Sequence, residues 1–310
     1  MTTPELDMAE VAWDYLMHRL HNGKVTPFIG AAAASIASAL PSGGQLARSW
    51  AQEYDFPHDH REDEQLDLID VAQFLSIRHG PECPKELIAK GFSGVAPPNF
   101  DAPNEAHGLL ATLDLPIYLT TNYDDFMTKA LEAKGKRPHR EYCRWNPKVR
   151  ALAEPSCFDD PDYQPTVEEP LVYHLHGIQD RPESIVITED DYLTFIVELS
   201  WHRKQLLPDM IQQALTGTSL MFMGYGLKDW DFKVIFQALV IAMEASLRGR
   251  SVSVQLPVSD RNQRGYLAEY MCEKSIEVFW GDLDQFVTGI QSRLDEQQAP
   301  MPDASTLTRG

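Results

Sequence analysis

Asn122, Asp124 and Asp125 share one short segment, LTTNYDDF (119–126), where an apolar run gives way to a stretch with helical spacing. A plain connection needs neither an amide nor two carboxylates. An amide can grip hydroxyl groups or a water molecule, and a carboxylate can orient a donor beside it. Further on, LVYHLHG ends in His176 and Gly177, and an imidazole with an unperturbed pKa near ~6.5 suits general-base work at neutral pH. Two other apolar runs end in small residues. FIG passes into AAAAS (Gly30 to Ser35), and LMFMGYG, with Gly224 and Tyr225, passes into LKDWDF, which holds Asp229.

Each of these residues also has a purely structural reading. Asp124 and Asp125 suit the first turn of a helix, where carboxylates complement the dipole. Asn122 and Asp229 suit helix caps, Gly30 a tight turn, and the GYG triplet close backbone packing. His174 and His176 share one side of a strand, with Leu175 opposite, and a lone strand histidine is more often core than catalyst. No single segment is decisive. Their order along the chain is.

The elements that must position them follow from periodicity. Glu5 to His21 has the three-and-four spacing of an amphipathic helix. VTPFIG (25–30) reads as a short buried strand, although Pro27 is out of place in a central ladder. PSGG breaks the chain at Pro41 to Gly44, and Gln45 to Gly91 reads as mostly helical, with REDEQ (61–65) a solvated face. PNEAHGLLATLD is a short helix entered from a Pro/Asn turn. Strands are expected at LPIYLTTN, LVYHLHG, SIVIT (184–188), SLMFMGYG, SVSVQLP and SIEVFWG. Between them lie helical stretches: YDDFMTKALEAKG, RKQLLPDMIQQALTG, DWDFKVIFQALVIAMEASLRG, DRNQRGYLAEYMCEK and DLDQFVTGIQSRL. This alternation defines a doubly wound, mainly parallel, Rossmann-like α/β sheet covered on both faces. Ligands bind such sheets outside the carboxyl ends of the strands, where the winding reverses, and the four unusual segments all fall at strand ends.

The bulk numbers bound the class. The chain has 310 residues, 43% hydrophobic and 24% charged, which suits one large globular domain or one domain with an insert. No segment approaches the ~18 consecutive apolar residues of a membrane span. The acidic, amphipathic start lacks the pattern of a signal peptide. Cys83, Cys143, Cys157 and Cys272 are too scattered for a disulfide framework or a metal site. A cytoplasmic protein with reduced thiols and no membrane contact is expected. The net charge of −19 disfavours direct nucleic-acid binding.

The order of small-residue loop, TTNYD, HLHG and FMGYGL resembles the Sir2-like (sirtuin-related) NAD-binding family, over roughly Val25 to Leu294. TTNYD is similar to the family's T-Q-N-I-D, HLHG to its His-Gly, FMGYGL to the strand ending G-T-S-L, and VFWGD to its closing strand. The whole is most similar to bacterial Sir2-like effectors of anti-phage defence. Two departures stand out. The first loop is GAAAAS, with Ala32 where a second glycine is expected and one extra residue before Ser35. And HGIQDRPESIVIT runs straight from Gly177 to the RP that follows a zinc ribbon in protein-deacylating members, with no Cys-x-x-Cys pair.

Spacing and composition give an N-terminal helix over 1–24 and a polar, Pro-containing, disordered tail over 297–310, and between them the resemblance implies a Sir2-like NAD-binding domain over 25–296 with a helical insert, or lid, at about 44–108. It implies NAD as substrate, no zinc, and cleavage of the nicotinamide–ribose bond by water. Asn122 would hold the ribose hydroxyls or the attacking water, His176 would be the general base, and Asp124 would orient nicotinamide or Asn122. Gly30, Ala31 and Ser35 would meet the phosphates and Thr121 the cofactor; Gly224 and Tyr225 would lie beneath the adenosine, with Asp229 at a ribose hydroxyl. The altered loop leaves open an NAD or ADP-ribose sensor without turnover. A zinc-free deacylase or ADP-ribosyltransferase and a structural subunit are further alternatives. An unregulated NAD hydrolase would poison its host. Activation by assembly is therefore expected, as a homo-oligomer or with a partner such as a HerA-type ATPase or a short Argonaute.

Overall fold

The apolar runs pair into one parallel sheet. The computed structural model describes residues 8, 10–38, 40–57, 66–226, 250–256 and 260–298. Its strands are β1 (Val25–Ile29), β2 (Ile117–Thr120), β3 (His139–Tyr142), β4 (Leu171–His174), β5 (Ser219–Met223), β6 (Ser251–Gln255) and β7 (Ile276–Trp280). Their order in the sheet is β3-β4-β2-β1-β5-β6-β7, and all the pairings are parallel. The chain builds outward from β1 through β2 to β4, then returns to place β5 on β1's other side. The winding therefore reverses at β1. The register sets Ile29 beside both Thr120 and Met223, and Thr120 beside His174, so four strands end nearly level there.

Alternation sorts the strand side chains into two cores. Phe28, Leu119, Tyr173 and Phe222 face one way and Ile29, Tyr118, Val172 and Met223 the other, all of them buried. Both faces are covered, which is why the runs are continuously apolar. Each such side chain contributes about 1.5–3 kcal/mol when fully buried. The described helices are α1 (Glu10–His21), α2 (Ala31–Ala37), α3 (Gly43–Glu53), α4 (Leu68–His79), α5 (Cys83–Phe92), α6 (Ala106–Thr112), α7 (Phe126–Ala133), α8 (Pro147–Ala151), α9 (Glu189–Trp201), α10 (Arg203–Leu206), α11 (Asp209–Gly217), α12 (Arg261–Glu273) and α13 (Leu283–Gln298). On the first face lie α9 and α11, through Phe195, Leu199 and Ile211. On the second lie α1, α6, α7 and α13, where the Trp13 ring stacks on Phe286 at 5.4 Å.

Several sequence expectations need correction. SIVIT is not a strand. Ile185 and Ile187 join a separate core made by α3, α4 and α5, around Trp50, Val71, Leu75 and Ile88, while Val186 joins the sheet's core. The alternation that resembled a strand therefore rivets the helical insert to the sheet. Its backbone bonds are to loops, with Val186 N–H donating to His176 O at 3.0 Å. RKQLLPDMIQQALTG splits into α10 and α11 because Pro208, at the cap of α11, cannot continue a helix. Pro27 is accommodated in central β1 because the ladder to β2 begins only at Phe28. The helix expected over DWDFKVIFQALVIAMEASLRG, most of the first turn expected at Glu5 and the whole tail after 298 lie outside the described residues.

Candidate active site

At the end of β1 the Ile29 carbonyl gathers three donors: Thr120 Oγ1 at 2.9 Å, Thr121 N–H at 3.1 Å and Tyr225 Oη at 3.0 Å. Thr121 Oγ1 also meets Tyr225 Oη at 3.0 Å. The loops leaving β1, β2 and β5 are thus tied at one point. Two glycines let them cross. Gly224 has φ +80°, and a Cβ there would lie 2.7 Å from both Ala33 N and Gly30 O; a Cβ on Gly30 would lie 2.7 Å from Gly224 O. Ala32 replaces the second glycine of the first loop without strain because α2 starts directly at Ala31. The Gly30 N–H, expected to face a phosphate, instead donates to Met223 O at 2.8 Å, and Ala32 N–H donates to Gly224 O at 3.1 Å.

Over this crossing opens a cavity of about 690 Å³. Ala31, Ala32, Gly224, Thr121, Asn122 and Asp124 form its floor, and Leu46, Leu68 and Phe92 of the insert with Ser42 and Gly43 form its far wall. A second cavity of about 400 Å³ adjoins it over the ends of β5, β6 and β7, sharing Ala32, Gly224 and Gly226 and adding Gln255, Trp280 and Asp282. The expected contacts Gly30 and Tyr225 are buried beneath these surfaces, Tyr225 lining only the second. Asp229 and the side chain of Ser35 lie outside the described residues.

Asn122 is no helix cap. Its backbone N–H donates to Thr120 Oγ1 at 3.0 Å, yet both polar atoms of its side chain are buried without a hydrogen-bond partner among the described residues. Burying an unsatisfied amide costs about 1–3 kcal/mol, and Asn122 carries that cost in the wall of the cavity. Asp124, also buried, accepts from Phe126 N–H at 3.0 Å at the start of α7. Burial raises its carboxyl above the usual range, against a lowering pull from His107. Asp125 turns away and pairs with Lys129 at 2.9 Å along α7.

His174 holds the Asn122 loop. Its Nδ1 lies 2.8 Å from Asn122 O; a carbonyl only accepts, so Nδ1 carries the proton. Burial pushes its pKa down to about 4, the bond to Asn122 opposing that shift, so the ring is neutral at pH 7. His176 is 1% exposed, and its ring meets Tyr192 at 5.3 Å and Phe195 at 5.2 Å, both edge-on. Tyr192 lines the large cavity and His176 does not. The structure therefore brings Thr121, Asn122 and Asp124 to the wall and places His176 one layer behind an aromatic ring. Gly177, at φ +88°, is required because a Cβ would lie 2.2 Å from Ser184 O.

Three contributors escape the sequence reading. Tyr192 sits on α9, whose signal was TEDD: Thr188 and Asp191 form a reciprocal cap, and Tyr192, Phe195 and Leu199 recur at helical spacing. His107 Nδ1 meets Glu105 Oε1 at 2.7 Å in a buried pair behind Asp124; nothing in PNEAHG marks it beyond a polar pair in an apolar helix. Lys85 of α5 meets Asp191 at 2.9 Å, both largely buried, and lies over the Trp145 ring at 5.3 Å. That pair fixes the insert to α9. Among the described residues no three His, Cys, Asp or Glu side chains are grouped to hold a metal ion, and no helix is long and apolar enough to cross a membrane.

A parallel sheet reversing at β1, with a small-residue crossing and buried polar groups at the ends of β2 and β4, defines a Rossmann-like α/β fold. A family model described as a SIR2-like domain matches residues 116–275, just over half of the chain. The chain belongs to the SIR2-like domain family. It is similar to proteins named NAD(+) hydrolase ThsA. The one from Cytobacillus dafuensis is 26% identical over 262 residues, 83% of this chain and 46% of that protein. Those from Acinetobacter baumannii and Bacillus cereus are 25% and 26% identical over 60% and 59% of this chain, and 34% of each relative. The chain spans less than half the length of these curated relatives.

Proposed function

We propose that this domain binds NAD across the two cavities and hydrolyses its nicotinamide–ribose bond, releasing nicotinamide and ADP-ribose. The observation that carries the reading is Asn122, a cavity-lining residue at a strand end whose amide is buried and unpartnered among the described residues. The activity named for the relatives supports it. In this reading the amide holds the ribose hydroxyls or the water. As the carbon–nitrogen bond breaks, its electron pair returns to the nicotinamide ring, which leaves neutral. Water adds to the same ribose carbon and gives its proton to His176, while Asp124 orients nicotinamide or the Asn122 amide. Gly224 and Tyr225 support the adenosine side, Thr121 and Ala31 the middle, and Gly30 acts by its size.

His176 lies behind Tyr192, so this reading requires that ring to turn aside before the base can act. Such a screened arrangement suits a protein activated by assembly, with itself or with a partner ATPase or Argonaute, in an anti-phage role. The same observation favours a second reading, in which the domain binds NAD or ADP-ribose without turnover. Nicotinamide release by the purified protein, beside Asn122→Ala and His176→Ala, separates them. Release lost in both variants supports hydrolysis. NAD binding without release under every assembly state supports the sensor, and release surviving both substitutions sinks the site assignment.

A further inference from the structure

His176 is held from two directions. Its ring meets Tyr192 and Phe195 edge-on. Its backbone opens a loop over 177–185 that leaves the end of β4 and returns at Val186, whose N–H donates to His176 O at 3.0 Å. The bond that closes the loop is therefore also the bond that fixes the His176 peptide.

Tyr123 bridges both limbs of that loop. On the outgoing limb, Gln179 N–H donates to Tyr123 O at 2.9 Å. On the returning limb, Tyr123 Oη donates to Val186 O at 2.7 Å. Tyr123 directly follows Asn122, whose own carbonyl meets His174 Nδ1 at 2.8 Å. The segment 122–123 is thus bonded to the chain on both sides of His176, to residue 174 before it and to residues 179 and 186 after it. Val186 is buried, so loss of the phenol would leave a buried carbonyl short of its partner. We infer that Tyr123 is a positioning residue for the reaction: its carbonyl and hydroxyl strap the loop after His176 to the Asn122 segment and hold the imidazole in register with the amide. This role rests on the function proposed above. The Tyr123 ring also lines the large cavity, 6.2 Å from the ring of Phe92, so contact by the ring and positioning by the hydroxyl need separating. Tyr123→Phe separates them, because it keeps the ring and the bond to Gln179 and removes only the phenol.

The test compares the wild type with Tyr123→Phe and Tyr118→Phe, each checked for folding by circular dichroism. Tyr118 is the control: its buried hydroxyl donates to Leu110 O at 3.0 Å, and it lines neither cavity. Nicotinamide release is measured in the assembly state in which the wild type turns over. A misplacement of about 1 Å can cost roughly 10²-fold in rate. Tyr123→Phe should therefore lower kcat at least about tenfold and leave KM within about threefold, while Tyr118→Phe keeps kcat. An unchanged kcat in Tyr123→Phe, a loss confined to KM, or an equal loss in both variants overturns the inference. Amide hydrogen exchange at Val186 reads the strap without turnover. It should be at least about tenfold faster in Tyr123→Phe than in the wild type, and an unchanged rate also overturns the inference. Faster exchange with no nicotinamide release from any of the three proteins would sink the hydrolase reading and leave the strap standing.

Discussion

The two halves of the strand-end crevice are built by different means. Over β2 and β4, side chains do the shaping: Asn122, Asp124, His174 and His176 are all buried, and three of them are held by a backbone bond or an aromatic wall. Over β1 and β5, the backbone does it. Gly30 and Gly224 cross at contact distance, and the Ile29 carbonyl ties three loops together. The first half keeps an unsatisfied amide in its buried wall, and the second is hydrogen-bonded across its crossing. The contrast suggests that one half reacts and the other seats, and that substitutions in the two should fail differently.

Asn122→Ala should give the largest functional loss with no structural one. Removing a preorganised donor typically costs about 10²–10³ in rate. The melting temperature should hold or rise, because the variant no longer buries an unsatisfied amide. A lower melting temperature would mean that Asn122 is structural after all. Gly224→Ala should do the reverse. Left-handed backbone costs a side chain roughly 1–2 kcal/mol, and the new Cβ meets two backbone atoms at 2.7 Å. Chemical denaturation should register a loss of about 3 kcal/mol or more, with NAD affinity falling alongside. Gly265, whose Cβ would meet nothing within 4 Å, is the control; its change to Ala inside α12 should gain about 0.5–1 kcal/mol.

The seating half was the more legible in the sequence, because glycines and short apolar runs report backbone demands directly. The parallel sheet and its strand ends followed from the alternation of apolar runs and helical stretches, and TTNYD and HLHG put Asn122, Asp124 and His176 at the ends of two of its strands. What could not be read was depth. No sequence pattern distinguishes a histidine facing a cavity from one behind Tyr192, since both sit on the same alternation. SIVIT misled for a related reason: alternation reports two different neighbours, and here these were the insert and the sheet rather than two faces of a strand. β3, HREY, was invisible because an edge strand paired only to β4 need not be apolar. His174 was seen, but its hold on Asn122 depends on a turn that only the fold specifies.

That hold predicts an acid weakness confined to the reacting half. The folded pKa of His174, about 4, lies below its ordinary 6.5. The unfolded chain therefore binds the proton first as pH falls. The contribution is fully present above about 6.5 and is lost between there and about 4, roughly 3 kcal/mol in all. Asp124 carries the opposite sign, since a carboxyl raised by burial favours the fold most in acid. His174→Asn, which keeps a donor for Asn122 O but does not titrate, should flatten the stability profile over that window. An unchanged slope would place the acid sensitivity elsewhere.

The smallest effect should come from Tyr225→Phe, and its size measures how redundant the seating half is. The Tyr225 hydroxyl donates to Ile29 O, which keeps Thr120 Oγ1 and Thr121 N–H when that hydroxyl is removed. The acceptor therefore stays satisfied, and the stranded group is Thr121 Oγ1, which had met the same hydroxyl. One lost hydrogen bond with one buried orphan is worth about 1 kcal/mol. Adding Thr121→Val removes the orphan, so the double variant should recover most of that loss. NAD affinity should change little in the Tyr225→Phe protein, because the ring that backs the adenosine side is kept and the Gly30–Gly224 crossing sets the floor beneath it. A large loss of affinity there would mean that the Thr121–Tyr225 hydroxyl pair itself holds the ligand.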